Sequence, residues 1–181
     1  MSCATTQSYA LDCADNRGGV VRYYLIEYGN VTATNLGSGM IMSANPTNPI
    51  TSITLAGSTH FRKYEMVKET VSFTDKPMPS TPNGTLYSEQ ECDIQIRKLI
   101  TNWRNEIYLL CQNRLQIIAE DRNGKFWFLG YNNGLDVQPS ESGTGTKMGD
   151  FNGYKLKLKG MEEYPAIEVT MTQAQLDALV A

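Results

Sequence analysis

The chain has 181 residues, of which 41% are apolar and 19% charged, and its formal net charge is −3. That length fits one domain with a core that needs no disulfide or metal staple, and the charge balance argues against a basic nucleic-acid-binding surface as the main function. No apolar run approaches the ~20 residues that span a bilayer. The opening Met1-Ser2-Cys3-Ala4-Thr5-Thr6 has neither the basic nor the apolar region of a secretion signal, so a cytoplasmic site of synthesis and residence is expected.

Residues 1–17 are polar with little periodicity and read as an extended N-terminal arm. Residues 18–181 then read as a single β-rich domain. Gly18-Gly19 opens a run from Val20 to Tyr28 that is apolar on both faces, as in a covered central strand. Short β-prone pieces follow at Ser38 to Met42 and Ile50 to Leu55, with turns at Asn45-Pro46 and Asn48-Pro49. Phe61 to Phe73 reads as one long strand, with Val67, Val71 and Phe73 on one face. Lys76 to Gly84, with three prolines, reads as a loop.

Thr85 to Ile96 alternates: Leu86, Ser88, Cys92, Ile94 and Ile96 share one face, and Tyr87, Glu89, Glu91, Asp93, Gln95 and Arg97 share the other. This predicts a long antiparallel hairpin with one wet face. A helix follows, capped by Thr101 or Asn102, with Trp103, Ile107, Leu110 and Cys111 on one stripe and Asn113 at its end. Asn123-Gly124 between Leu115–Glu120 and Lys125–Tyr131 signals a second hairpin. Residues 132–153 read as a long flexible loop. Tyr154 to Lys159 alternates, with Tyr154, Leu156 and Leu158 inward and three lysines outward. Ala166 to Met171 forms a last strand, and Thr172 caps a short amphipathic tail. The fold class is therefore mainly β: an antiparallel sandwich or barrel with one packed helix and a short C-terminal helix.

Residues for chemistry are sparse. The one histidine, His60, has no nucleophile motif beside it and reads as structural. Cys3, Cys13, Cys92 and Cys111 form no C-x-x-C pair and read as free thiols, since a reducing compartment argues against a Cys3–Cys13 bridge. Gly143-Thr144-Gly145-Thr146-Lys147 departs from the phosphate-loop spacing and reads as a loop tip. Glu89, Glu91 and Asp93 on one strand face have three readings: a solvated face, a carboxylate pair or cation site, or a channel wall that repels phosphate. Trp103, Trp127 and the tyrosines suit core packing better than a nucleic-acid stacking platform. No catalytic, cofactor or metal site is expected.

The stretch Phe128-Leu129-Gly130-Tyr131-Asn132-Asn133-Gly134-Leu135, the polar Gly143-Thr144-Gly145 segment, Gly149 to Tyr154, Leu156 to Gly160 and Glu162-Glu163-Tyr164-Pro165-Ala166 resembles tail tube and related virion proteins of bacteriophages, especially phages of the Bacteroidetes group. Cys13 followed by Gly18-Gly19-Val20 and a tyrosine-rich strand is similar to the same set. The resemblance implies rings of six copies, stacked into a virion tail tube through which DNA passes transiently and without sequence preference. It also implies contacts with other tail proteins. Glu89, Glu91 and Asp93 would line the lumen. The arm and the loop with Gly143, Thr144, Gly145 and Lys147 would join ring to ring. Alternatives are a head–tail connector, stopper or decoration protein; a carbohydrate- or small-molecule-binding sandwich using aromatics near Trp127 and Tyr131; and a glycosidase using Glu89 and Glu91, about 6–7 Å apart.

Overall fold

The computed structural model describes residues 8–11, 13–38 and 48–181. In chain order the elements are β1 (Val20–Glu27), β2 (Val31–Thr34), β3 (Gly37–Ser38), β4 (Ile53–Leu55), β5 (Arg62–Glu65), β6 (Phe73–Ser80), β7 (Thr85–Arg97), α1 (Thr101–Gln112), β8 (Leu115–Asp121), β9 (Phe126–Leu129), β10 (Asp136–Val137), β11 (Glu141–Gly143), β12 (Gly153–Glu162), β13 (Ile167–Val169) and α2 (Gln173–Asp177). All strand pairs between these elements are antiparallel. The expected class holds in its sandwich form: the sheets keep separate edges and do not close into a barrel.

The central sheet has the order β13-β9-β8-β1-β5, and it is covered on both faces. One face meets the outer sheet, β10-β12-β7-β6 with β11 also on β12, through Tyr23, Leu25, Ile117 and Leu129 against Cys92, Ile94, Leu156 and Leu158. The other face meets the small sheet β3-β2-β4 and α2 through Tyr24, Ile26, Ile118 and Phe128 against Val31, Leu36, Ile53 and Leu176. Successive side chains of a strand point to opposite faces, so a strand between two cores is covered on both sides and reads as a mostly apolar run. That is why the run at Val20 shows no alternation, as expected, and why the first six residues of β8 are all buried.

Between Phe61 and Phe73 the expected single strand is two. Arg62–Glu65 pairs with β1 in the central sheet, whereas Phe73–Ser80 pairs with β7 in the outer sheet. The chain changes layers in between, with Glu69 in the left-handed region at φ 63° and Thr70 Oγ1 donating to Val67 O at 2.7 Å. The stretch from Lys76, expected as a loop, is mostly strand, and it tolerates Pro77 and Pro79 for a geometric reason. Asp93 N donates to Ser72 O, so the even residues of β6 turn their backbone groups toward β7 and the odd ones outward. Both prolines therefore lack an N–H only on the free outer edge.

The helix runs over α1 as expected and ends at Asn113, but Ile100 occupies the N-cap position without a side-chain cap, in place of Thr101 or Asn102. Leu110 is buried and Trp103 and Ile107 pack on the first core, whereas Cys111, at the margin of the stripe, is exposed. The Asn123-Gly124 hairpin forms, with Gly124 at φ 77° and Asp121 Oδ1 accepting from Asn123 N and Lys125 N. Residues 132–153 are not one irregular loop: they contribute β10 and β11, both paired to β12. The tail helix α2 carries the expected Thr172 cap in a full capping box. The part of the Ser38–Met42 piece beyond Ser38, the Asn45-Pro46 turn and Cys3 lie outside the described residues.

Candidate functional site

The acidic face of β7 is built as the alternation predicts. Ser88, Gln90, Cys92, Ile94 and Ile96 are buried, while Glu89, Glu91 and Asp93 lie on the opposite face. What the sequence reading missed is the pairing of β7 with β12. Register sets Lys159 opposite Glu91 and Lys157 opposite Asp93. Glu89 pairs with Lys159 at 2.9 Å; Glu91 pairs with Lys157 at 3.2 Å, and with Lys76 and Lys159 at 3.5 Å. The hydrogen bond from Lys157 leads the causes that hold the Glu91 carboxyl below its usual range.

The same face adds Asp136 and Glu141 from β10 and β11, and Lys76, Arg97 and Lys155, so acids and bases balance on it. Among the described residues the face therefore carries no net negative charge with which to repel phosphate. Both carboxylates of the pair, Glu89 and Glu91, are engaged by lysines of the neighbouring strands. The outward lysines expected at 155, 157 and 159 supplied the signal: alternating lysines beside alternating acids predict a cross-strand ladder.

The loop tip lies near the other end of the outer sheet. Gly143 closes β11 against Gly153. Asp150 Oδ2 accepts from Thr146 N at 2.9 Å, Lys147 N at 2.8 Å and Thr146 Oγ1 at 3.2 Å. These bonds hold the Asp150 carboxyl below its usual range. The amides that a phosphate would need already face a carboxylate. Thr144, Gly145 and Lys147 are exposed.

The aromatic cues separate. Tyr131 is buried, its hydroxyl 2.8 Å from Thr34 Oγ1. Trp127 is half-buried, with its indole N–H toward Asp121 Oδ2. Trp103 packs against Tyr64 with ring centroids 5.9 Å apart. They form no shared platform. His60 is exposed at the mouth of a cleft of about 400 Å³, which also holds Glu27, Arg62, Tyr64 and Glu106. Cys13 and Cys111 are free and exposed, and Cys92 is free and buried.

A buried polar group went unnoticed in the sequence. Glu162, 3% exposed, follows Leu156, Leu158 and Gly160 on the inward face of β12. Its two oxygens accept from Asn132 N at 3.0 Å, Asn133 N at 2.9 Å and Gly134 N at 3.1 Å. Burial pushes its carboxyl above the ordinary range against the pull of those three donors. Gly134 sits there at φ 76°, and a Cβ would meet Arg114 at 2.6 Å.

Large apolar side chains stand in solvent at several places, among them Met148 in the 143–153 segment, Met161 on β12, and the arm, the β6–β7 ribbon and α1. On the arm, Tyr9 and Leu11 are 85% and 90% exposed, with the arm's root tied to Asn123 through Asn16 and Arg17. On the β6–β7 ribbon they are Met78 and Leu86, and on α1 they are Tyr108 and Leu109. Sheet edges, by contrast, are short or blunted. The β6 edge carries the two prolines, and the outer strands of the central sheet carry parallel bridges, Ile50 to Val169 and Phe61 to Val180. The chain matches no protein-family model, no curated protein and no solved structure.

Proposed function

We propose that this chain is a structural protein that assembles with copies of itself, in the form its family resemblance implies: rings of six copies stacked into the tail tube of a phage virion, in contact with other tail proteins. One observation carries the reading. Apolar side chains such as Leu86, Tyr108 and Leu11, which an isolated chain gains nothing by exposing, stand in solvent on separate elements, where neighbouring copies could cover each of them. Side-chain docking of these elements, rather than edge-to-edge strand pairing, makes the contacts.

The β7–β12 face enters this reading as a charge-balanced surface. A triple reversal of Glu89, Glu91 and Asp93 would set lysines against Lys157 and Lys159, and so would perturb the fold before it perturbed DNA passage.

Mass measurement across a concentration series, combined with negative-stain imaging of the pure protein, tests the proposal. Rings or hollow rods are expected. A chain that stays monomeric at high concentration sinks it. A second reading, small-molecule binding, draws on the cleft beside His60, Arg62 and Glu106; a bound metabolite found by mass spectrometry of the native monomer would favour it.

A further inference from the structure

The β6–β7 ribbon outruns the body of the protein. Even-numbered residues of β7 face inward and are buried from Ser88 to Ile96, yet Leu86, on that same face, is 67% exposed. The flanking strand β12 stops at the Glu162–Ser88 pair, so among the described residues those beyond it are strand-paired only with each other. The free part, from the Pro77–Ser88 pair to the turn, is about 10 Å long. A two-stranded ribbon alone in water is marginal. Its inward side shows Pro77, Pro79 and Leu86, its outward side shows Met78, and no residue from Pro77 to Ser88 is charged.

Near the other end of the same strands lies a groove of about 530 Å³. It runs between Ile107, Tyr108 and Cys111 of α1 and Val137 and Pro139 beside β10, with Tyr154 at its floor. Tyr154 pairs with Ile96, far along β7 from Leu86. The two charged residues lining it, Arg104 and Glu141, are exposed. An uncharged ribbon tip can therefore enter a largely uncharged groove without stripping water from an unpaired ion. The tip and the groove stand at opposite ends of β7, so one copy cannot fill its own groove.

We infer that the ribbon tip of one copy docks in the α1–β10 groove of the next, joining copies head to tail along β7. This rests on the self-assembly reading above and names its contact. Such a contact is heterologous, so it propagates until a ring closes or a filament grows. The prolines on the outer edge of β6 suit it, because they block strand addition on that side of the tip.

Two variants at exposed sites test the inference without threatening the fold. Met78→Lys/Leu86→Lys disables the tip, and Tyr108→Lys disables the groove; circular dichroism checks that each variant folds. By sedimentation velocity the wild type should assemble, and each variant alone should associate on the order of 100-fold more weakly. Mixed one to one, the variants should form dimers and nothing larger, since only one intact tip meets one intact groove. If the wild type assembles and either variant assembles equally well, or if the mixture stays monomeric, the docking is wrong while self-assembly stands. Assembly lost on removing residues 1–15 but unchanged by both variants would give the contact to the arm and overturn the proposal. A wild type that never assembles overturns both.

Discussion

Glu162 brings a carboxyl group into the interior and turns both of its oxygens on backbone. Three consecutive amides, of Asn132, Asn133 and Gly134, turn toward its two oxygens, and Asn133 Nδ2 donates to Met161 O at 2.8 Å. The carboxylate thereby fixes the turn that leads from β9 to β10. Replacing it by an amide keeps the shape but points an NH2 group at one or more N–H donors. Glu162→Gln is therefore expected to destabilise the fold by about 1–3 kcal/mol, the cost of leaving a buried donor unpaired. Urea unfolding measures this, and hydrogen exchange should show faster exchange at Asn132–Gly134 than elsewhere. Equal stability of the variant would mean that water, not the carboxylate, satisfies those amides. Gln90 plays a related part on β7, its Oε1 accepting from Gly130 N at 2.9 Å. Both residues were legible in principle: each is a polar side chain on the inward phase of an otherwise apolar alternation. The sequence does not say which backbone groups wait for it.

At the scale of elements, the strands with one wet face were readable because period-two alternation survives wherever water covers one side. β7 and β12 were found this way, whereas the second hairpin was found by its Asn123-Gly124 turn. The split at Met66–Ser72 was not, because a strand that changes sheets keeps its β-prone composition while changing partners. The β6 prolines misled for a related reason: whether a proline breaks a strand depends on which side its missing N–H would face, and that is set by pairing. The β7–β12 ladder yields a pH prediction. The folded pKa of Glu91 lies below its ordinary 4.5, chiefly through Lys157. A depressed acid pKa contributes stability above the unfolded value, and this is lost as pH falls through the folded one. Stability should thus decline from about pH 5 downward, and the decline should be shallower in Lys157→Gln/Lys159→Gln; denaturant midpoints across that range check it. An identical slope in the variant would show that the ladder is fully solvated. The edge of β6 yields another. Pro77→Val/Pro79→Val restores two outward N–H groups, so thioflavin-positive aggregation should rise while monomer stability changes little. Unchanged solubility would mean that a different feature protects this edge.

The whole molecule is three layers sharing one central sheet. β1 and β8 send alternate side chains into two cores: Tyr23 and Ile117 into one, Tyr24 and Ile118 into the other. A cavity on either side should therefore be felt on both. Leu36 packs only in the core under the small sheet, and Ile94 only in the core under the outer sheet; both are 1% exposed. Each truncation to Ala should cost about 2–5 kcal/mol. If the central sheet couples the layers, Leu36→Ala must shift unfolding reported by Trp103, which packs on the opposite core, by as much as it shifts the far-ultraviolet circular dichroism. Trp127→Phe isolates that fluorescence signal. A Trp103 transition that stays at its wild-type midpoint while the circular dichroism moves would mean the small sheet and α2 unfold on their own. The coincident shift is the expected result, because no layer here has a core that excludes the central sheet, and a sheet buried on both faces cannot lose one cover without exposing a row of large apolar side chains such as Tyr24, Ile118 and Phe128.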